Sequence, residues 1–246
     1  GVEMSGIPAQ SGGGVLRTCF YQKPPYHLEH VIRTVRAPGY ARCGDTSEAF
    51  TDAQGSQYLI LSDGMGSGQE AFNDSRHVMD LLEEFLEAGF SEETSVKLLH
   101  AVMMEQPEHQ SFSTLDLSVI DLYDGSMQLV KMGGTATFIK SGNKVETIEA
   151  ATLPVGMMEQ PETMFIKRQL KDKDIVIMIS DGVVEGFGEQ QGEKGNAVAR
   201  IAEAIGNLSV QSSKDIAVKI LTMAGGKEKP GDDMTVLVAS CHKKYR

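Results

Sequence analysis

Long apolar runs are missing from this chain of 246 residues: the longest spans 175–179, far short of the ~20 residues a membrane-spanning helix requires. The fragment is therefore expected to make no membrane contact of its own. Cysteine is scarce. Cys19, Cys43 and Cys241 form an odd set without paired spacing, which speaks against a disulfide framework or a zinc site and suits a reducing cytoplasm. Positive charge is also short, with 23 Lys and Arg against 34 Asp and Glu and a net charge of −11. That balance repels polyphosphate backbones and argues against nucleic acid as a partner. No glycine loop ends in Gly-Lys-Ser/Thr, so a nucleoside triphosphate cradle is absent. The chain opens on Gly1-Val2 without a basic and apolar leader, and reads as one domain over 1–246, cut from a longer protein.

What is present is a soluble composition, 41% apolar and 23% charged, enough for a sizeable core. Strand-like stretches at 15–21 and 28–35 flank Pro24-Pro25 and read as an interrupted edge pair. The turn Asp52-Ala53-Gln54-Gly55 separates two further strands as a hairpin. The period then becomes helical: Val78, Leu81, Leu82, Phe85 and Leu86 repeat every three to four residues until Gly89, and Ser91 starts a second helix carrying Val96, Leu99 and Met103. Residues 113–148 read as an antiparallel meander continued by 164–169 and 175–179. The last of these is apolar on both faces and so central. Two helices, around Val198–Ile205 and Ile216–Leu221, precede a final strand at 234–239. Strands, two helices, many strands, two helices and one strand do not alternate as a parallel sheet does. The expected fold is α+β, an α-β-β-α sandwich of two stacked antiparallel sheets.

Three acidic signatures punctuate these elements: Ser62-Asp63-Gly64-Met65-Gly66-Ser67-Gly68, Ser180-Asp181-Gly182 and Gly231-Asp232-Asp233-Met234-Thr235. Each lies at the end of an apolar run. If the aspartates meet, each pair repels by roughly 3 kcal/mol at ~5 Å and an effective dielectric of ~20. No Lys or Arg run interleaves them, so a divalent cation with oxygen ligands, Mg2+ or Mn2+ rather than zinc, is the economical counter-charge. Gly64, Gly66 and Gly68 allow the tight backbone of a ligand loop. Asp45, in Cys43-Gly44-Asp45-Thr46, is a fourth candidate, with a simple Asx-turn as the alternative. Asp116 interrupts Leu115, Leu117 and Val119 from the opposite strand face and is read as part of a polar face outside the site. The six histidines show no metal spacing and are given no role.

These motifs resemble those of the PPM (PP2C-type) serine/threonine protein phosphatases. Within that family the sporulation branch, stage II sporulation protein E, is the nearer likeness, because Ser113-Thr114-Leu115-Asp116-Leu117-Ser118, Phe138-Ile139-Lys140 and Leu153-Pro154-Val155-Gly156 also match. The resemblance implies two divalent cations, with Asp63 bridging them, Gly64 offering its carbonyl, Asp181 and Asp232 completing one ion's shell and Asp45 serving the other. The wider family has Asp-Asn where this chain has Asp232-Asp233, which leaves open whether Asp233 coordinates. Arg42 is near the place of that family's phosphate-binding arginine without a secure match. The implied reaction is hydrolysis of phosphoserine or phosphothreonine by a metal-activated water, with Asp63, Asp181 and Asp232 acting through that water. The sequence agrees: no cysteine has an arginine six residues on, and Asp63 has no aspartate two positions later. By the same resemblance the substrate is a phosphorylated anti-sigma-factor antagonist and the domain faces the cytoplasm, with a homodimer as one open state.

Two other readings are weighed beside it. An ATP-binding module of the histidine-kinase type shares an Asp-x-Gly-x-Gly box only superficially, since Met65 stands where that box wants glycine. A domain that keeps the fold but has lost activity would bind partners without turnover. The two helices between Gly68 and Glu105 follow the Asp63 loop directly and are either a switch acting on it or plain amphipathic core helices.

Overall fold

Most strands in this chain carry apolar residues on both faces, and the two faces of each sheet feed two different cores. In the computed structural model, residues 2–5, 19–105, 112–149, 151–157, 163–191, 197–209, 212–225 and 230–244 are described. Among them the elements run β1 (Val2–Ser5), β2 (Cys19–Gln22), β3 (Tyr26–Val35), β4 (Asp45–Thr51), β5 (Ser56–Asp63), α1 (Gln69–Glu87), α2 (Glu92–Met104), β6 (Leu115–Asp121), β7 (Ser126–Met132), β8 (Thr137–Ser141) and β9 (Lys144–Ile148). They continue with β10 (Met164–Gln169), β11 (Ile175–Ile179), α3 (Asp181–Gln191), α4 (Ala197–Gly206), α5 (Ser213–Met223) and β12 (Met234–Lys243). Two five-stranded antiparallel sheets result, in the orders β10-β7-β6-β5-β4 and β3-β12-β11-β8-β9, beside a small β1-β2 pair.

Period-two alternation sorts the side chains. On β5, Tyr58 and Ile60 join Leu117, Val119 and Val130 against Val78, Leu82, Val96 and Leu99 of α1 and α2. Leu59 and Leu61 face the other way and meet Met178, Leu237 and Ala239 of the second sheet. On β11, Val176 and Met178 fill that middle layer while Ile177 and Ile179 pack on α3, α4 and α5. Each such buried aliphatic side chain contributes about 1.5–3 kcal/mol. The result is helices, sheet, sheet, helices, as the sequence predicts.

Local signals set the helix ends. Gly89, at φ 85°, closes α1, its N–H reaching Leu86 O at 3.0 Å and that of Phe90 reaching Phe85 O at 3.2 Å, the pattern of a glycine-terminated helix. Ser91 caps α2 by accepting from Thr94 N.

Three expectations change. Residues 15–18 lie outside the described residues, and the strand that follows, β2, pairs with β1 rather than with β3, which is the edge partner of β12. The expected meander is divided: β6-β7 and β8-β9 are hairpins in different sheets, and β10 returns to β7. The chain changes sheet just after Gly133, whose φ of 67° is a left-handed bend that glycine adopts without a steric penalty. Finally, a helix not expected from the sequence, α3, begins at Asp181 directly after β11. No helix among the described residues is long and apolar enough to cross a membrane.

Candidate metal centre

Strand pairing brings the acidic motifs to one edge of the sandwich. Asp45, first residue of β4, is the direct cross-strand partner of Asp63, last residue of β5. In the other sheet β11 ends two residues before Asp181 and β12 begins two residues after Asp232, and Ser180 N donates to Thr235 O at 3.0 Å. Glycines permit the close packing there. A Cβ on Gly182 would stand 2.1 Å from the Asp233 carbonyl oxygen, and one on Gly64 would stand 2.0 Å from the Ala71 carbonyl oxygen of α1. Neither contact leaves room for a side chain, so the Asp-Gly pairs follow from backbone packing as much as from turn chemistry.

The electrostatics are those of crowded like charges. Asp63 is pushed up to about 11 by burial and by the neighbouring Asp45, Asp181 and Asp232. Asp45, 8% exposed, is pushed up to about 7, chiefly by burial and further by Asp181 and Asp233, while the nearby Thr235 and Ser180 hydroxyls pull it back. Those hydroxyls are not within good hydrogen-bond geometry, for both Asp45 carboxyl oxygens are buried without a partner. Asp232 is raised by burial and by Asp181, against the favourable contact from Asp233 N at 2.8 Å. Among the described residues these side chains are neighbours rather than a closed cage of three metal ligands.

Asp233 behaves differently. Its Oδ1 accepts from Ala37 N at 2.7 Å and its Oδ2 from Gly44 N at 2.6 Å. Both oxygens thus tie the 37–44 loop to β12. Arg42 is exposed, its guanidinium 4.9 Å from the Phe72 ring centroid, a cation–π distance.

The roles of several supporting residues escaped the sequence reading. Thr114 Oγ1 accepts from Asp63 N at 3.0 Å, Thr114 N donates to Asp63 O at 2.8 Å, and Ser113 Oγ donates to the same carbonyl at 2.7 Å. The backbone of Asp63 is therefore clamped on both sides. Asp116 occupies the strand face opposite Leu115 and Leu117, as expected, yet that face is buried between the two sheets. There Lys131 pairs with it, and Asp116 lines a small cavity together with Asp63 and Asp181. The readable signal was a lysine inside the apolar run Leu129-Val130-Lys131-Met132.

An all-oxygen donor set suits a hard divalent cation, and the two unpartnered oxygens of buried Asp45 fit a ligand role, since such atoms carry an unmet cost of several kcal/mol in effective desolvation.

Comparison with known proteins places this arrangement. A family model described as Stage II sporulation protein E (SpoIIE) matches residues 53–242. The chain is 36% identical over 201 residues to stage II sporulation protein E of Priestia megaterium, covering 80% of this chain and 33% of that protein. It is 40% identical over 126 residues to the Bacillus subtilis (strain 168) protein, covering 51% and 15%. The chain thus spans a third or less of the length of these relatives. The solved PP2C phosphatase domain of the Bacillus subtilis cell fate determinant SpoIIE, with a fragment of its regulatory domain, superposes with a TM-score of 0.82 at 26% identity, over 100% of this chain and 71% of that one. RsbX in complex with magnesium shares the fold, with a TM-score of 0.65 at 15% identity over 87% and 96%. With the ordered motifs, the two-sheet sandwich and these matches in agreement, the chain belongs to the stage II sporulation protein E family of PP2C-type phosphatases.

Proposed function

We propose that residues 1–246 form one phosphatase domain that hydrolyses phosphoserine and phosphothreonine in proteins with two Mn2+ or Mg2+ ions. One observation carries the reading: Asp45 is buried with both oxygens unpartnered, directly across from Asp63, in a cluster that also contains Asp181 and Asp232. Asp63 is assigned to both ions, Asp181 and Asp232 to one of them, and Asp45 with the Gly64 carbonyl to the other. Asp233 is assigned to holding the 37–44 loop, because both its oxygens already accept backbone N–H groups. When bound, the ions supply Lewis acidity and a water acidic enough to ionise near neutral pH. The chain's own part is placement. Ser113 and Thr114 fix the Asp63 backbone, and Gly64 and Gly182 let α1 and the 232–233 segment approach. Exposed Tyr40 and Met65 beside the Asp63 loop offer apolar contact to the residues flanking a phosphorylated side chain.

The physiological substrate proposed is a phosphorylated anti-sigma-factor antagonist, and the domain is placed on the cytoplasmic side of a longer protein, alone or as a homodimer. The family resemblance supports both. The test is incubation with such a phosphoprotein, with and without Mn2+, read by mass spectrometry, next to an Asp63→Asn variant. Release of phosphate that needs both Mn2+ and Asp63 is expected. Mn2+ binding with no turnover on the phosphoprotein or on a chromogenic phosphate ester would instead identify an inactive binding domain.

A further inference from the structure

Lys131 on β7 has no exposed surface and Asp116 on β6 is 2% exposed, yet they face each other as cross-strand partners between the sheets. Lys131 Nζ donates to both Asp116 oxygens and, at 2.9 Å, to Thr137 Oγ1. Thr137, on β8 of the opposite sheet, donates to Asp116 Oδ2 at 3.1 Å. The pair therefore bridges the two sheets. Burying two charges costs several kcal/mol per ion, and apolar residues of similar volume often serve stability as well or better. Stability alone gives this pair little reason to exist.

Its neighbours give a better one. Asp116 lines a cavity of about 30 Å3 together with Asp63, Thr114, Thr135, Ser180 and Asp181. That volume holds a water, and the wall supplies the two to four polar partners a buried water needs. Gly133 and Gly134 complete its wall.

We infer that Asp116 is a positioning residue for the metal centre: fixed by Lys131 and Thr137, its carboxyl group holds a water in this cavity that hydrates an ion carried by Asp63 and Asp181. The inference rests on the metal reading above and deepens it. Mg2+ sheds water reluctantly and keeps several molecules in its shell, so a fixed acceptor for one of them adds to affinity. Groups that orient a metal's immediate partners typically change affinity by about 10–100-fold. Lys131 acts through Asp116, setting its orientation and balancing its charge.

The test is Mn2+ titration by calorimetry alongside metal-free thermal unfolding, for wild type, Asp116→Glu and the double variant Asp116→Leu/Lys131→Met. Asp116→Glu keeps the ion pair but shifts the carboxyl group by one methylene. The double variant replaces both charges with apolar groups, which avoids stranding Lys131 as a lone buried cation. Both are expected to unfold within a few degrees of wild type while the Mn2+ Kd rises about 5-fold for Asp116→Glu and about 10–100-fold for the double variant. Wild-type affinity, within about twofold, in either folded variant overturns the inference and leaves the pair a purely structural bridge. Failure of the underlying reading looks different: wild type would then show no Mn2+ binding that Asp63→Asn abolishes, and both proposals would fall.

Discussion

Asp63 and Asp233 show how one residue type takes opposite roles within one acidic cluster. Asp233 is satisfied by two backbone N–H groups, each charge-assisted bond being worth about 1.5–3 kcal/mol. Asp233→Ala is therefore expected to cost about 3 kcal/mol or more in urea unfolding, with Asp233→Asn milder because it can still accept one bond. Asp63, in contrast, is raised by burial and three acidic neighbours, so its charge opposes folding of the metal-free protein. Asp63→Asn should raise the metal-free melting temperature while removing the rise that Mn2+ produces in wild type. A metal-free melting temperature that falls instead would mean that Asp63 is satisfied by a partner other than an ion. Legibility at this scale was uneven. Asp45, Asp63, Asp181 and Asp232 announce themselves by their glycines and by their positions at the ends of apolar runs. The roles of Ser113 and Thr114 do not, because a hydroxyl bonding to a distant backbone has no local pattern, and Lys131 shows only as a charge inside an apolar run.

At the scale of elements, α1 is held to β4 by an acidic network. Arg76 of α1 bonds Glu48 of β4 and Asp80 of its own helix, both at 2.7 Å. Glu83 is pushed up to about 7 by burial and by Glu48, while Glu48 is lowered, chiefly by its hydrogen bond with Glu83. The sign follows from linkage. Unfolded Glu83 ionises near pH ~4.3 while the folded side chain keeps its proton to about 7, so this group's contribution to stability falls as pH rises through that window. Glu83→Gln keeps a donor for Glu48 without the charge. Its melting temperature relative to wild type should grow more favourable from pH 5 to pH 8, and a pH-independent difference would rule out the shared proton. Because Gly64 abuts the Ala71 carbonyl, a displaced α1 also displaces the Asp63 loop. Leu82→Ala should cost about 2–5 kcal/mol as a core truncation and weaken Mn2+ binding as well. Unchanged affinity would confine α1 to the core. Helices α1, α2, α4 and α5 were readable from their apolar period. Helix α3 was not, since Asp181-Gly182 followed by Gly186 and Gly188 reads as a loop, and Gly186 in fact admits the Ala224 carbonyl at 2.2 Å from where a Cβ would be.

The whole molecule is a four-layer stack whose two sheets meet through one largely apolar core and end at one acidic edge. That layering was legible because most strands carry apolar residues on both faces and the helices come in two groups. Which strand joins which sheet was not, because β6-β7 and β8-β9 are hairpins of the same kind, and only the bend after Gly133 sends the second pair across. A negative edge on a chain of net charge −11 makes metal binding a contribution to global stability, by about 2.7 kcal/mol at an ion concentration 100 times Kd. The most direct test of the account is anomalous diffraction from crystals grown with Mn2+. The prediction is two peaks at bonding distance from Asp63, one shared with Asp181 and Asp232 and the other with Asp45 and the Gly64 carbonyl. Occupied manganese elsewhere, with Asp63 and Asp181 holding no common ion, would contradict it.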